Sequence, residues 1–346
     1  HRRSVLRLLE AVPAQMRRRI MPALLRIVVR TRLTPRFARV LDRCDAAVIG
    51  GGALFADADQ NFPTKIGAAL ALCADRRMPV AVAAVGVAGD WSAAGLARLS
   101  DGLARADLLS VSVRDDTSAE TWQRLFASRG IAPARTVPDP GLLCADQYGP
   151  VPARGEGSGR PVVGLCVTAP VVLRLHADGE QDEALLQAWF RAGAEGLIDN
   201  GCDVILFTNG SPEDGTFRDQ IARRLGHRVG LSIAPEFERP DQLVRCIAGL
   251  DAVLAHRLHA CIAAYSYRIP AVGLAWDRKL RSFFEQTGRA GYVIDPREES
   301  PMAAVRLSLR ALEDPVDPAL HAGLVQRARD GIADLARVLM RAGGAA

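Results

Sequence analysis

Aromatic residues make up only 5% of this 346-residue chain, and its seven cysteines include no C-x-x-C pair. An odd, scattered set, with Cys73, Cys166 and Cys261 inside apolar runs, builds neither a disulfide framework nor a zinc site and fits a reducing cytoplasm. No apolar run is long enough to cross a bilayer. No uninterrupted apolar stretch ahead of a small-residue cleavage site marks a signal peptide. The dinucleotide fingerprint G-x-G-x-x-G and the Walker lysine are missing, and no short-period repeat is present. What is there, 49% hydrophobic and 24% charged residues, is the composition of a soluble globular protein. Single cores rarely grow past about 250–300 residues, so the length implies two domains.

Lysine is absent from residues 1–43, where twelve arginines face only Glu10 and Asp42. The formal net charge of +5 is therefore concentrated in this segment, and the rest of the chain is net acidic. Val5, Leu8, Leu9, Val12, Met16, Ile20, Leu24 and Val28 recur at helical spacing, which predicts one or two basic amphipathic helices broken near Pro13 and Pro22. Two roles are open to them: an apolar stripe packed on the core with a solvated arginine rim, or a surface that rests on anionic lipid. The chain opens on His1 rather than Met, so sequence upstream is expected.

From Asp45 onward, short β-branched or apolar runs alternate with helix-length amphipathic stretches, the pattern of a parallel sheet wrapped by helices. Strands are expected at Ala46–Ile49, Pro79–Val85, Leu108–Val113 and near Thr136, then at Val162–Thr168, Asp203–Thr208, Leu231–Ile233, Ala252–Ala255 and Ala271–Ala275. The Gly/Pro/Ser-rich stretch 148–161 reads as the linker between the two series. The expected fold class is α/β, with two Rossmann-like domains facing across a cleft. The N-terminal domain, with its arginine-rich helical segment, covers 1–150 and the C-terminal domain 160–346. Ligands in such sheets bind beyond the carboxyl ends of the strands.

Several strand ends carry candidate chemistry. In "DAAVIGGGALFAD" a strand runs into three glycines, where Gly51 and Gly52 form either a tight turn or an unobstructed backbone cradle for an anion. Arg114 ends the strand of "LLSVSVRDD"; its fork of donors suits carboxylate or phosphate, unless it pairs with Asp115 or Asp116. Asp139, between two prolines, caps a turn or positions a ligand. Asn209, in "FTNGSPED", can hydrogen-bond a sugar or nucleotide, or belong to a plain turn.

The string RLHA occurs twice. Its second copy, Arg257-Leu258-His259-Ala260, stands where a strand enters a helix, so an incoming phosphate can meet Arg257, the helix end and His259 together. The first copy, from Arg174, runs into acidic residues, and His176 reads as an exposed loop residue. His256 reads as a packing residue. Trp276, Asp277 and Lys279 follow the next strand, where Lys279 either neutralises a second charge or lies on the solvated side of a helix whose apolar face is Leu280, Phe283 and Phe284.

In order, spacing and type, "DAAVIGGGALF", "SVRDDTSAETW", "PDPG" and above all "AHRLHACIAAYSYRIPAVGLAWDRKLRSFF" resemble the polysaccharide pyruvyl transferase family over roughly residues 44–290. The resemblance implies a fold of the B type of glycosyltransferases, phosphoenolpyruvate as donor, and a sugar of an exopolysaccharide, capsule or cell-wall polymer, or of its lipid-linked precursor, as acceptor. It places the family's R-L-H on Arg257, Leu258 and His259 and its basic residue on Arg114. Where the family opens with a strand and a Gly/Asn loop, this chain shows its arginine-rich helix.

Phosphoenolpyruvate carries two anionic groups, for which Arg114, Arg257 and Lys279 are the cations. His259 is expected to act as general acid, with Asp139 and Asp277 as candidate bases. No cofactor or metal is expected beyond the co-substrate, and no nucleic acid. The expected location is the cytoplasm, with the periphery of the plasma membrane's inner face as the alternative should the basic helices rest on lipid. A nucleotide-sugar-dependent glycosyltransferase of the same fold and a non-catalytic adaptor recruited through the basic helices are the alternatives.

Overall fold

The computed structural model describes residues 22–150, 159–173, 182–275 and 278–343. The chain divides into two compact units, one of His1–Asp139 with Asp330–Ala346 and the other of Pro140–Arg329. Each is built around a wholly parallel sheet.

In the first unit, β1 (Ala47–Gly50), β2 (Pro79–Val85), β3 (Asp107–Val113) and β4 (Arg135–Thr136) lie side by side in chain order. The helices Asn61–Asp75, Ala93–Arg105 and Asp116–Leu125 connect them. Strands of parallel sheets are covered on both faces and so read as continuous apolar runs; β2 follows this rule, with five of its seven residues buried. Three aromatics form the centre of the unit's core. Phe55, Trp122 and Phe126 are fully buried and pack against one another tilted or edge-on, with ring centroids 4.8–6.0 Å apart.

In the second unit the strands are β5 (Val162–Cys166), β6 (Asp203–Phe207), β7 (Leu231–Ile233), β8 (Ala252–Ala255), β9 (Ala271–Leu274) and β10 (Val293–Ile294). They run in the order β10-β9-β8-β5-β6-β7. The chain builds outward from β5 to β7, then returns to the other side of β5 with β8 and builds outward again. This is the doubly wound Rossmann order, whose reversal lies between β5 and β8. β8 and β9 are buried throughout.

The α/β class and the two parallel sheets are as the sequence predicts, and the strands agree within two residues; the two-residue β10 has no sequence signal of its own. The domain boundary differs. It falls at Asp139/Pro140 rather than in the stretch 148–161, because the turn Pro140–Leu143 and the helix Cys144–Tyr148 pack on the helix Leu258–Ser266. Leu142 is buried in the second unit's core, the Ala145 N–H donates to Ser266 Oγ at 2.8 Å, and the Tyr267 hydroxyl donates to the Gly149 carbonyl at 3.0 Å. The last helix, Pro318–Gly343, starts in the second unit and ends in the first.

Helix covers 22–41 without a break. Pro35 lacks the N–H that would donate to Thr31 and crowds that carbonyl; the helix widens to a π turn over Val29–Leu33 and continues as Thr34–Leu41. The expected break near Pro13 lies outside the described residues. Among the described residues, no helix is long and apolar enough to cross a membrane.

Candidate active site

The carboxyl ends of β5, β6 and β8 bring together residues far apart in sequence. β8 ends at Ala255, and Arg257 is the N-cap of the helix Leu258–Ser266. Among the described residues no side chain caps that first turn, so the helix end offers backbone donors and partial positive charge to a ligand. The Arg257 side chain is about a quarter exposed and donates through Nη2 to Asp214 Oδ2. Asp214 is completely buried, and its Oδ1 accepts from the Ala169 N–H at 2.7 Å, just past β5. One carboxylate thus ties the end of β5 to the residue that follows β8, across the point where the sheet order reverses.

Burial pushes the Asp214 carboxyl above the ordinary carboxylate range, and the Arg257 guanidinium opposes that shift. Arg257 Nε is buried and has no hydrogen-bond partner among the described residues. The hydroxyl of Thr168, a residue 1% exposed, is in the same state. Unmet buried donors are costly, about 1–3 kcal/mol each, and mark places where a ligand or water completes the structure.

His259, the second residue of the helix, is exposed. His256, three residues earlier, is its opposite: buried and packed edge-on against Phe190, with ring centroids 5.5 Å apart. Burial, reinforced by the Arg257 charge, pushes its pKa down to about 3, so it is neutral at physiological pH. Leu258 packs on the core edge. Asn209, past the end of β6, is half-buried, and its Oδ1 lies 3.7 Å from Cys166 Sγ. Lys279 is half-exposed on the helix Arg278–Gln286, whose Leu280, Phe283 and Phe284 are buried, as the apolar-face reading predicts. Trp276 and Asp277 lie outside the described residues, as does the first RLHA.

Two of the expectations concern the first unit. The triple glycine forms a left-handed turn, with φ of 76° at Gly51 and 57° at Gly52, and it is stitched to β2. The Gly51 N–H donates to the Ala83 carbonyl, and the Gly52 carbonyl accepts from Gly86. The next helix in the chain starts only at Asn61, so the glycines do not lead directly into a helix N-terminus. Arg114 is 5% exposed, and its guanidinium lies 3.3 Å from Asp115 and 3.8 Å from Asp139. Gly86 makes room for it: a Cβ there would come within 2.8 Å of Arg114 Nη2. Asp115 also caps the helix Asp116–Leu125 through the Ser118 N–H at 2.7 Å. Arg114 thus lies between two carboxylates, and the pairing with Asp115 is the alternative that the sequence left open.

The sequence model of the polysaccharide pyruvyl transferase family matches residues 7–278. The chain belongs to that family. No curated protein matches the sequence. Among solved structures, this family member is similar to a protein described as a UDP-N-acetylglucosamine 2-epimerase of Listeria monocytogenes, with 12% identity, a TM-score of 0.57 and coverage of 86% of this chain and 73% of that one. It is also similar to the UDP-GlcNAc 2-epimerase of Neisseria meningitidis bound to UDP-GlcNAc (12%, TM-score 0.52, 89% and 81% covered). A third is the trehalose 6-phosphate synthase of Burkholderia multivorans (12%, TM-score 0.53, 97% and 77% covered). At such identity the likeness establishes the fold alone, that of the B type of glycosyltransferases.

Asp214 is the residue that sequence reasoning missed. The stretch "FTNGSPED" reads as a polar turn, and an acid in the first turn of a helix is common for dipole reasons alone. Its pairing with an arginine 43 positions later had no local sign.

Proposed function

We propose that this protein transfers the pyruvyl group of phosphoenolpyruvate to a sugar of an exopolysaccharide, capsule or cell-wall polymer, or of its lipid-linked precursor, as a cyclic ketal. One observation carries the reading: in a chain of this family, Arg257-Leu258-His259 stands at the reversal of a parallel sheet, with the arginine anchored by a buried carboxylate and the histidine in solvent.

His259 protonates the donor's methylene carbon, which makes C2 electrophilic. One sugar hydroxyl adds to C2. The C2–O bond to phosphate then breaks, its electron pair leaving with the phosphate, and a second hydroxyl closes the ketal. Of the two hydroxyl protons, one restores His259 and the other departs with phosphate, so donor and diol are fully accounted for. Arg257 Nε, the Thr168 hydroxyl and the uncapped turn at Leu258 and His259 are the hydrogen-bond donors for the anionic groups, and Lys279 is the second cation. Asn209 is assigned to hydrogen bonding of the acceptor.

Because His259 is exposed, its replacement leaves folding intact and isolates the chemistry. His259→Ala is expected to lower kcat by about 10²–10⁴ with little change in donor affinity; near-normal turnover at saturating donor would remove the assignment. Isothermal titration with phosphoenolpyruvate and with nucleotide sugars separates this reading from its rival. Heat with a nucleotide sugar alone would replace it by a glycosyltransferase.

A further inference from the structure

We infer that the helical segment 22–41 docks on the surface of an anionic lipid bilayer. The inference does not rest on the pyruvyl-transfer reading. It starts from an apolar stripe that the fold leaves uncovered. Leu24, Ile27 and Val28 are 42%, 59% and 38% exposed and stand at i, i+3 and i+4, one face of the helix. Val40, at 58%, adds to the exposed apolar surface of the same segment, while Val29 alone is buried. At Leu24 and Val28 the core-packed alternative is not met, since the helix presents this side to solvent; the rest of the stripe, Val5 to Ile20, lies outside the described residues.

Charge selects the occupant. Arg26, Arg30, Arg32, Arg36, Arg39 and Arg43 are all exposed, and none makes an ion pair with a described residue. Asp42 is engaged by Arg76 at 2.7 Å. Elsewhere many exposed arginines have a carboxylate at hand, as at Arg135–Asp334, Arg239–Asp241 and Arg329–Asp146. Exposed arginines without an ion pair to a described residue also occur elsewhere, as at Arg77, Arg105 and Arg223, but here six of them fall within residues 26–43 beside the apolar stripe, and residues 1–21 contribute six more arginines to the sequence there. A second copy of the chain would set arginine against arginine. A bilayer rich in anionic headgroups meets both features: phosphates accept the guanidinium forks, and the aliphatic side chains enter the boundary of the acyl region.

The test is flotation of the full chain with phosphatidylcholine vesicles holding about 30 mol% phosphatidylglycerol, and with phosphatidylcholine alone, in about 0.1 M and about 1 M salt. Binding is expected only with the anionic vesicles and is expected to weaken in high salt. Ile27→Ser with Val28→Ser, which keeps the charge, and Arg30→Gln with Arg36→Gln and Arg39→Gln, which keeps the stripe, should each reduce the bound fraction about tenfold. These side chains are exposed, and an unchanged circular dichroism spectrum confirms that the variants fold. Failure of the wild type to float, equal binding to neutral vesicles, or wild-type binding by the serine variant overturns the inference. So does a dimer in sedimentation that the serine variant dissociates, which would make a second copy the occupant.

Discussion

Arg257 has one partner in place and one donor in reserve: Nη2 holds Asp214, while Nε is buried with no partner among the described residues. Lysine in its place keeps the charge but loses the fork, and cannot satisfy both. Arg257→Lys is therefore expected to raise the donor KM about 10- to 100-fold, the worth of a charged hydrogen bond of about 1.5–3 kcal/mol, with a smaller effect on kcat; steady-state kinetics measures the split. Arg257→Ala is a poorer probe, since an unpaired buried carboxylate costs about 3–5 kcal/mol of stability. His256 gives a prediction in pH. Unfolded, it titrates near 6.5; folded, near 3, so between these values only the unfolded chain takes the proton. Its contribution is complete above about pH 6.5 and declines by up to about 1.4 kcal/mol per pH unit as pH falls toward 3. Thermal unfolding at about pH 7.5 and about pH 5 should show a smaller acid-induced drop in Tm for His256→Asn than for the wild type.

At the scale of elements, the close approach of a helix to a strand decides what a sequence position tolerates. Gly273 in β9 lies beneath the helix Arg278–Gln286; a Cβ there would fall inside the Leu280 side chain and within 2.8 Å of Phe284. Gly273→Ala is expected to destabilise the second unit by about 1–3 kcal/mol, read as a lowered midpoint in urea, with the slope unchanged. Nothing in "PAVGLAW" announces this, because a glycine in a strand reads equally as a weak point of the pattern. The strands themselves were legible, since buried parallel strands are unbroken apolar runs. The triple glycine was ambiguous for the converse reason: whether its amides stay open depends on β2, thirty residues on, whose Ala83 carbonyl takes the Gly51 N–H.

For the whole molecule, the chain's last stretch is the informative one. The end of the helix Pro318–Gly343 belongs to the first unit, where Gly331 packs closely on Val137 and Asp334 pairs with Arg135 at 2.5 Å. Ending the chain after Arg329 should speed amide hydrogen exchange around β4 and Val137 while leaving β5 and β8 as protected as before. Equal loss of protection in both units would refute the division. The sequence by itself determined the fold class, the strand positions, the family and the R-L-H turn, because periodicity, turn chemistry and motif spacing are local properties of a chain. Only the tertiary structure decided that Arg114 is enclosed, that Asp214 anchors Arg257, that the boundary precedes Pro140 and that the arginine-rich helix shows its apolar face. Each of those depends on which distant residue fills the space beside a side chain, and a linear pattern carries no record of that neighbour.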